Sequence, residues 1–151
     1  MSAQIQHKGD NQRSVATFWR LASSLQTQSE TQRLSQIKQG FAAVWVGSLK
    51  SAFRLSTPEM AALLGLSTST LERRQKDKKP LDAVSSERLD RVASIAALAQ
   101  SVFEDQEAAS RWLSTPNEGL GGNAPLAQCE TEIGANQVRR ILHALEWGGA
   151  A

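Results

Sequence analysis

Apolar residues recur at three- and four-residue intervals along most of this chain, the period of one face of an α-helix. Val15, Phe18, Trp19, Ala22 and Leu25 form the first such stripe. A polar stretch from Gln26 to Gln32 interrupts it. The pattern resumes at Leu34, Ile37, Phe41, Val44, Trp45 and Leu49 and continues to Ala52 and Phe53. Ser56-Thr57-Pro58-Glu59 has the form of a capping box, with Ser56 as cap, Glu59 three residues on and proline tolerated in the first turn. It predicts a helix starting there, and a second helix follows from about Thr68 to Lys76, with Pro80 discouraging continuation. Beyond Ser85-Ser86-Glu87, the residues Leu89, Val92, Ala93, Ala96, Ala99, Val102 and Phe103 share one helical face. Asp105 can cap a further short helix ending near Trp112-Leu113. Thr115 to Pro125 carries three glycines and two prolines and cannot be regular helix. Pro125 opens a short helix through Gln128, and a last helix carries Val138, Ile141, Leu142 and Leu145 until Gly148-Gly149 stops it. Residues 1–12 are expected to be disordered. No strand-like alternation is visible, so the expected class is all-α, with roughly seven or eight helices.

The stretch Ala61 to Leu71 has the spacing of a helix-turn-helix. Ala61 falls where two helices come closest, so a large side chain would separate them. Gly65 can adopt the positive φ that ends a helix abruptly. Leu66 inserts from the turn into the core, which Leu64 and Leu71 complete, and Ser67 can cap the next helix. A helix held in this way presents its N-terminal half to the DNA major groove. A plain helical hairpin is the competing reading. Arg74 departs from the pattern, because it stands where this motif often has an aliphatic core residue.

Charge sharpens the division of the chain. The 151 residues sum to +2, but residues 1–80 hold 12 Lys/Arg against 5 Asp/Glu, whereas residues 81–151 hold 5 against 10. A net +7 half gains affinity for a polyanion by counterion release, and a net −5 half is repelled by one. The expected organisation is an N-terminal flexible or helical extension over 1–32, a helix-turn-helix domain over 33–80, and a second small helical domain over 81–151.

Candidate DNA contacts follow. Ser67, Thr68, Ser69 and Thr70 lie at the start of the recognition helix. Arg73 and Arg74 can reach a base or the backbone, and Lys76, Lys78 and Lys79 suit phosphates, which position without reading sequence. A solvated charged surface is the equal alternative for the lysines. The partner read here is double-stranded operator DNA, and two-fold operators imply a homodimer. Phe18, Trp19, Phe41 and Trp45 are the candidate self-association residues.

Catalytic chemistry has no support: His7, His143 and Cys129 are too few for a metal site, and no nucleophile–base set can be assembled. The expectation is no enzyme, no cofactor and no metal. Glu104, Asp105 and Glu107 read as acids favoured at a helix N-terminus rather than as a catalytic pair. Leu120-Gly121-Gly122 lacks the lysine and preceding strand of a phosphate loop and reads as an ordered turn, with Asn117 bonding to nearby backbone. The single cysteine fits a reducing compartment, no secretory signal is visible, and the apolar run Phe41–Val46 is too short to span a bilayer. A cytoplasmic protein with no membrane partner is expected.

In the second half, Trp112-Leu113, Pro116-Asn117, Leu120-Gly121-Gly122 and Pro125-Leu126, followed by Gly134-x-x-x-Val138, resemble the C-terminal domain of Xre/MbcA/ParS-type antitoxins. The upstream helix-turn-helix is similar to the Xre-like domain of the same proteins, so the resemblance covers roughly residues 40–151. It implies a cognate RES-type toxin, which consumes NAD or transfers ADP-ribose from it, as partner. The implied toxin contacts are Asn117, Leu120, Gly121, Gly122, Arg139, His143, Trp147, Gly148 and Gly149. The C-terminus would reach into the toxin's NAD cleft, and Trp147 followed by a slim neutral tail suits that role. Trp112 and Leu113 read as core. The alternative function is a stand-alone repressor whose second half dimerises or binds an effector.

Overall fold

A computed structural model describes residues 2–148. These residues hold nine α-helices: α1 (Ser2–Gln26), α2 (Glu30–Gln39), α3 (Ala43–Phe53), α4 (Thr57–Leu64), α5 (Thr68–Lys76), α6 (Ala83–Phe103), α7 (Gln106–Ser114), α8 (Pro125–Gln128) and α9 (Glu132–Glu146). A single 3-10 turn spans Glu118–Leu120. No strand occurs among the described residues, and the fold is all-α as expected.

Local chemistry sets most helix starts. Ser56 and Glu59 form the reciprocal capping box of α4: the Glu59 amide donates to Ser56 Oγ at 3.2 Å, and the Ser56 amide donates to Glu59 Oε1 at 3.0 Å. Those bonds to the ionised form hold the Glu59 carboxyl below its ordinary range. The same device opens α2 through Ser29 and Gln32, inside the polar stretch that reads only as an interruption. Asp82 caps α6 and Asp105 caps α7.

The 21-residue α6 is the axis of the molecule and packs against α1, α2, α4, α7 and α9. Leu89, Val92, Ala93, Ile95, Ala96 and Ala99 are buried along it. Small residues let neighbours approach closely, and larger side chains from those neighbours fill the remaining space: Phe18, Leu25, Leu64, Leu113 and Leu142. Each such burial contributes roughly 1.5–3 kcal/mol. Arg33 on α2 reaches Asp90 on α6 in a two-pronged ion pair, with Nε–Oδ1 at 3.1 Å and Nη2–Oδ2 at 2.6 Å. The carboxylate beside it raises the Arg33 pKa further above its ordinary value.

Four sequence expectations are corrected. Residues from Ser2 onward are helical, not disordered: the packed half of α1 nucleates the helix, and the Gln-, Lys- and Arg-containing segment before it continues the same turn. The stripe from Leu34 to Phe53 is two helices, because the chain breaks at Gly40 and turns back through Phe41. That break leaves Leu34 and Val44 exposed rather than on a common buried face. The helix count is nine, above the seven or eight read from the pattern. Finally, Phe18, Trp19, Phe41 and Trp45 are not a self-association surface. Phe18, Trp19 and Phe53 interlock edge to face at 5.3–6.0 Å between centroids, and Phe41 meets Trp45 at a tilt of 53° with centroids 5.3 Å apart, all within one chain's core. All four are buried within the single chain.

Candidate nucleic-acid interface and C-terminal surface

The helix-turn-helix forms as its spacing predicts. α4 ends at Gly65, whose φ is 70° and whose amide donates to the Ala61 and Ala62 carbonyls. Ala61, Leu64 and Leu71 are buried and Leu66 packs against them. The turn is closed from outside by Arg88 of α6, whose guanidinium occupies the space a Cβ on Gly65 would need. Arg88 lies 23 positions beyond Gly65, and no local spacing signals that contact.

The recognition helix α5 sorts its polar residues. The Thr70 amide donates to Ser67 Oγ at 3.1 Å, and the Ser67 hydroxyl donates to Thr70 Oγ1 at 2.8 Å. These two hydroxyls serve the cap. Thr68 and Ser69 are exposed beside them. Arg73 is exposed, whereas Arg74 folds back: its Nη1 donates to the Pro80 carbonyl at 2.7 Å, and Nη2 lies 4.0 Å from Asp82. Arg74 therefore ties the end of α5 to the start of α6, which explains an arginine where an aliphatic residue is common. Lys76, Lys78 and Lys79 are exposed, and Lys78 turns the chain with a φ of 51°. Three residues of one sign at a helix C-terminus also suit the helix dipole.

In the second half, the Asn117 carboxamide accepts from the Gly119 amide at 2.9 Å, and the Asn117 carbonyl accepts from Leu120 and Gly122 at 3.0 Å each. Gly121 and Gly122 have φ of 67° and 84°. Because the amides of residues 119–122 all bond inside the turn, none is directed outward to cradle a phosphate. Leu120 is buried in the turn, whereas Gly121 and Gly122 are exposed. Trp112 is half-buried against Phe103, and Leu113 is fully buried.

On α9, the Arg139 Nη1 donates to Glu132 Oε1 at 2.8 Å and to Asn136 Oδ1 at 2.6 Å. Glu132 also pairs with Arg91 at 3.1 Å, off the hydrogen-bonding direction, and Arg91 pairs with Glu87 at 2.8 Å. This chain of charges joins α6 to α9. Arg139 and His143 line a shallow groove of about 370 Å³ with Gln26, Leu98 and Ser101, and His143 Nδ1 lies 3.2 Å from Glu146. Trp147 is 85% exposed, and Gly148 follows it with a φ of 77°. Gly149 and the tail beyond it lie outside the described residues.

Cys129 is buried, and desolvation pushes its thiol up to about 12, so it stays protonated at neutral pH. Among the described residues, no three His, Cys, Asp or Glu side chains gather where a metal could sit. Among them also, no helix is long and apolar enough to cross a membrane.

Comparison with known proteins gives this geometry a lineage. Residues 32–94 match the family model of the antitoxin Xre-like helix-turn-helix domain. Residues 98–148 match that of the antitoxin Xre/MbcA/ParS C-terminal toxin-binding domain. An antitoxin Xre from Pseudomonas putida is 36% identical over 108 residues, 72% of this chain and 67% of the relative. An antitoxin Xre from Yersinia enterocolitica is 30% identical over 116 residues, covering 76% and 78% of the two chains. A protein of Sphingobium named Prs ADP-ribosylating antitoxin is 27% identical over 132 residues, covering 82% and 83%. A helix-turn-helix with its cap, turn and core in place, followed by a toxin-binding domain and supported by relatives along most of the chain, places this protein in the Xre/MbcA/ParS family of antitoxins, which act in toxin–antitoxin systems.

Proposed function

We propose that this antitoxin neutralises a cognate RES-type toxin that consumes NAD, with its C-terminal tail blocking the toxin's active site, and that it binds operator DNA as a homodimer to repress its own operon. The observation that carries the reading is Trp147. A tryptophan 85% exposed, at the end of a helix whose opposite face is core, takes no part in the core formed by the described residues, and tryptophan is enriched among binding hot spots. The small neutral residues after it can follow into a narrow cleft. The Sphingobium relative's name joins antitoxin to ADP-ribosylation, a reaction that draws ADP-ribose from NAD, and this supports the toxin class. The DNA half rests on the formed helix-turn-helix, on exposed Thr68, Ser69 and Arg73, and on the basic balance of residues 1–80.

The test is co-purification with the product of the adjacent reading frame, comparing the full chain with one ending at Glu146. The expected result is capture and silencing of NAD consumption by the full chain, with activity restored by the truncation. Equal silencing by both would move the blocking surface to the domain body. No capture by either would leave the stand-alone repressor as the function.

A further inference from the structure

Of the large apolar side chains between residues 98 and 148, Ile133 at 77% exposure and Trp147 at 85% are the exposed ones. Ile133 lies in the first turn of α9 and Trp147 is its C-cap, and Arg140 lies midway between them, seven residues from each. A spacing of seven drifts by only about 20° around a helix. Ile133, Arg140, Ala144 and Trp147 therefore share one outward row within about 60° of arc, about 21 Å long. Gly134, Ala135, Val138 and Leu142 occupy the opposite, buried face. Arg139 and His143 point to the side, into their own pairs with Glu132 and Glu146. Among the described residues, Arg140 makes no ion pair or hydrogen bond through its side chain.

We infer that this row, Ile133–Arg140–Ala144–Trp147, is the docking stripe for the toxin, an inference that rests on the function proposed above and gives it a surface. The occupant is a toxin face presenting a carboxylate between two apolar recesses. Three observations choose it. The stripe lies wholly within the segment matched as toxin-binding domain. It ends at Trp147, the exposed residue on which the function proposed above rests. A second copy of this chain fits poorly, because two-fold antiparallel pairing of the stripe sets Ile133 against Trp147 but brings Arg140 onto Arg140 at the centre. Like charges in a desolvated position oppose association, whereas an acidic partner gains a bidentate contact there.

The test measures binding of the adjacent reading frame's product to the full-length chain and to its Ile133→Asp, Arg140→Glu and doubly substituted forms. Val84→Asp, at another exposed apolar site and outside the toxin-binding segment, serves as control. All three positions are exposed, and circular dichroism melts should coincide with the unsubstituted protein. Each single change on the stripe is expected to weaken binding about tenfold or more, the double change further, and the control not at all. If the unsubstituted chain captures the toxin and the stripe variants capture it equally well, the stripe is overturned and the proposed function stands. If the unsubstituted chain captures nothing, the function falls and the stripe with it. If the variants change only the size of the free antitoxin by light scattering, the row is a self-contact and the inference is overturned.

Discussion

At the scale of single residues, neighbouring arginines have different work. Arg73 and Arg74 are about 100° apart on α5, and that rotation sends one outward and the other back to the Pro80 carbonyl. Arg73→Ala is expected to lose about 1–3 kcal/mol of base discrimination with an unchanged melting temperature. Arg74→Ala is expected to lower the melting temperature first. Fluorescence anisotropy on an operator duplex, beside thermal melts, separates the two; parallel loss of stability and binding in both would show that the assignment is wrong. Sequence marked Arg74 as a departure from the motif. It could not say where the guanidinium goes, because Pro80 and Asp82 approach it only after the chain has turned.

At the scale of elements, capping chemistry is readable and close approach is not. The Ser56 box and the Asp105 cap stand where the residues place them, since each needs only its own first turn. Gly134 is different. It lies in the first turn of α9, capped by Thr131 Oγ1. A Cβ there would collide with the backbone carbonyl of Gln128 at the end of α8. Gly134→Ala improves helix propensity by about 1 kcal/mol. Even so, the protein is expected to be destabilised by roughly 1–3 kcal/mol from the forced separation of α8 and α9. Denaturant unfolding measures the sign directly: a more stable variant would show that the two helices part without cost.

For the whole molecule, α1 is the instructive case. Phe18, Trp19, Ala22 and Leu25 are buried against α3 and α6, whereas residues 3–8 are exposed. Deleting residues 2–12 is expected to leave the melting temperature nearly unchanged, and deleting residues 1–30 is expected to abolish cooperative unfolding by emptying the centre of the core. Circular dichroism melts of both truncations decide. A cooperatively folded chain lacking residues 1–30 would mean that α1 is an appendage. The periodicity of α1 was plain from its residues. That its aromatic face turns inward was not, because a stripe of this kind serves a core and a dimer equally well until its neighbours are placed.

The sequence alone determined the helix period, the helix-turn-helix with its glycine turn, most of the caps and the charge division at Pro80, because each depends on residues within a few turns of one another. Only the tertiary structure decided that α2 and α3 are separate, that Arg74 folds back onto Pro80 and Leu120 is buried, and that Ile133, Arg140 and Trp147 are left exposed. Those outcomes depend on which faces α6 covers. That is settled by packing between segments dozens of residues apart, where local pattern carries no information.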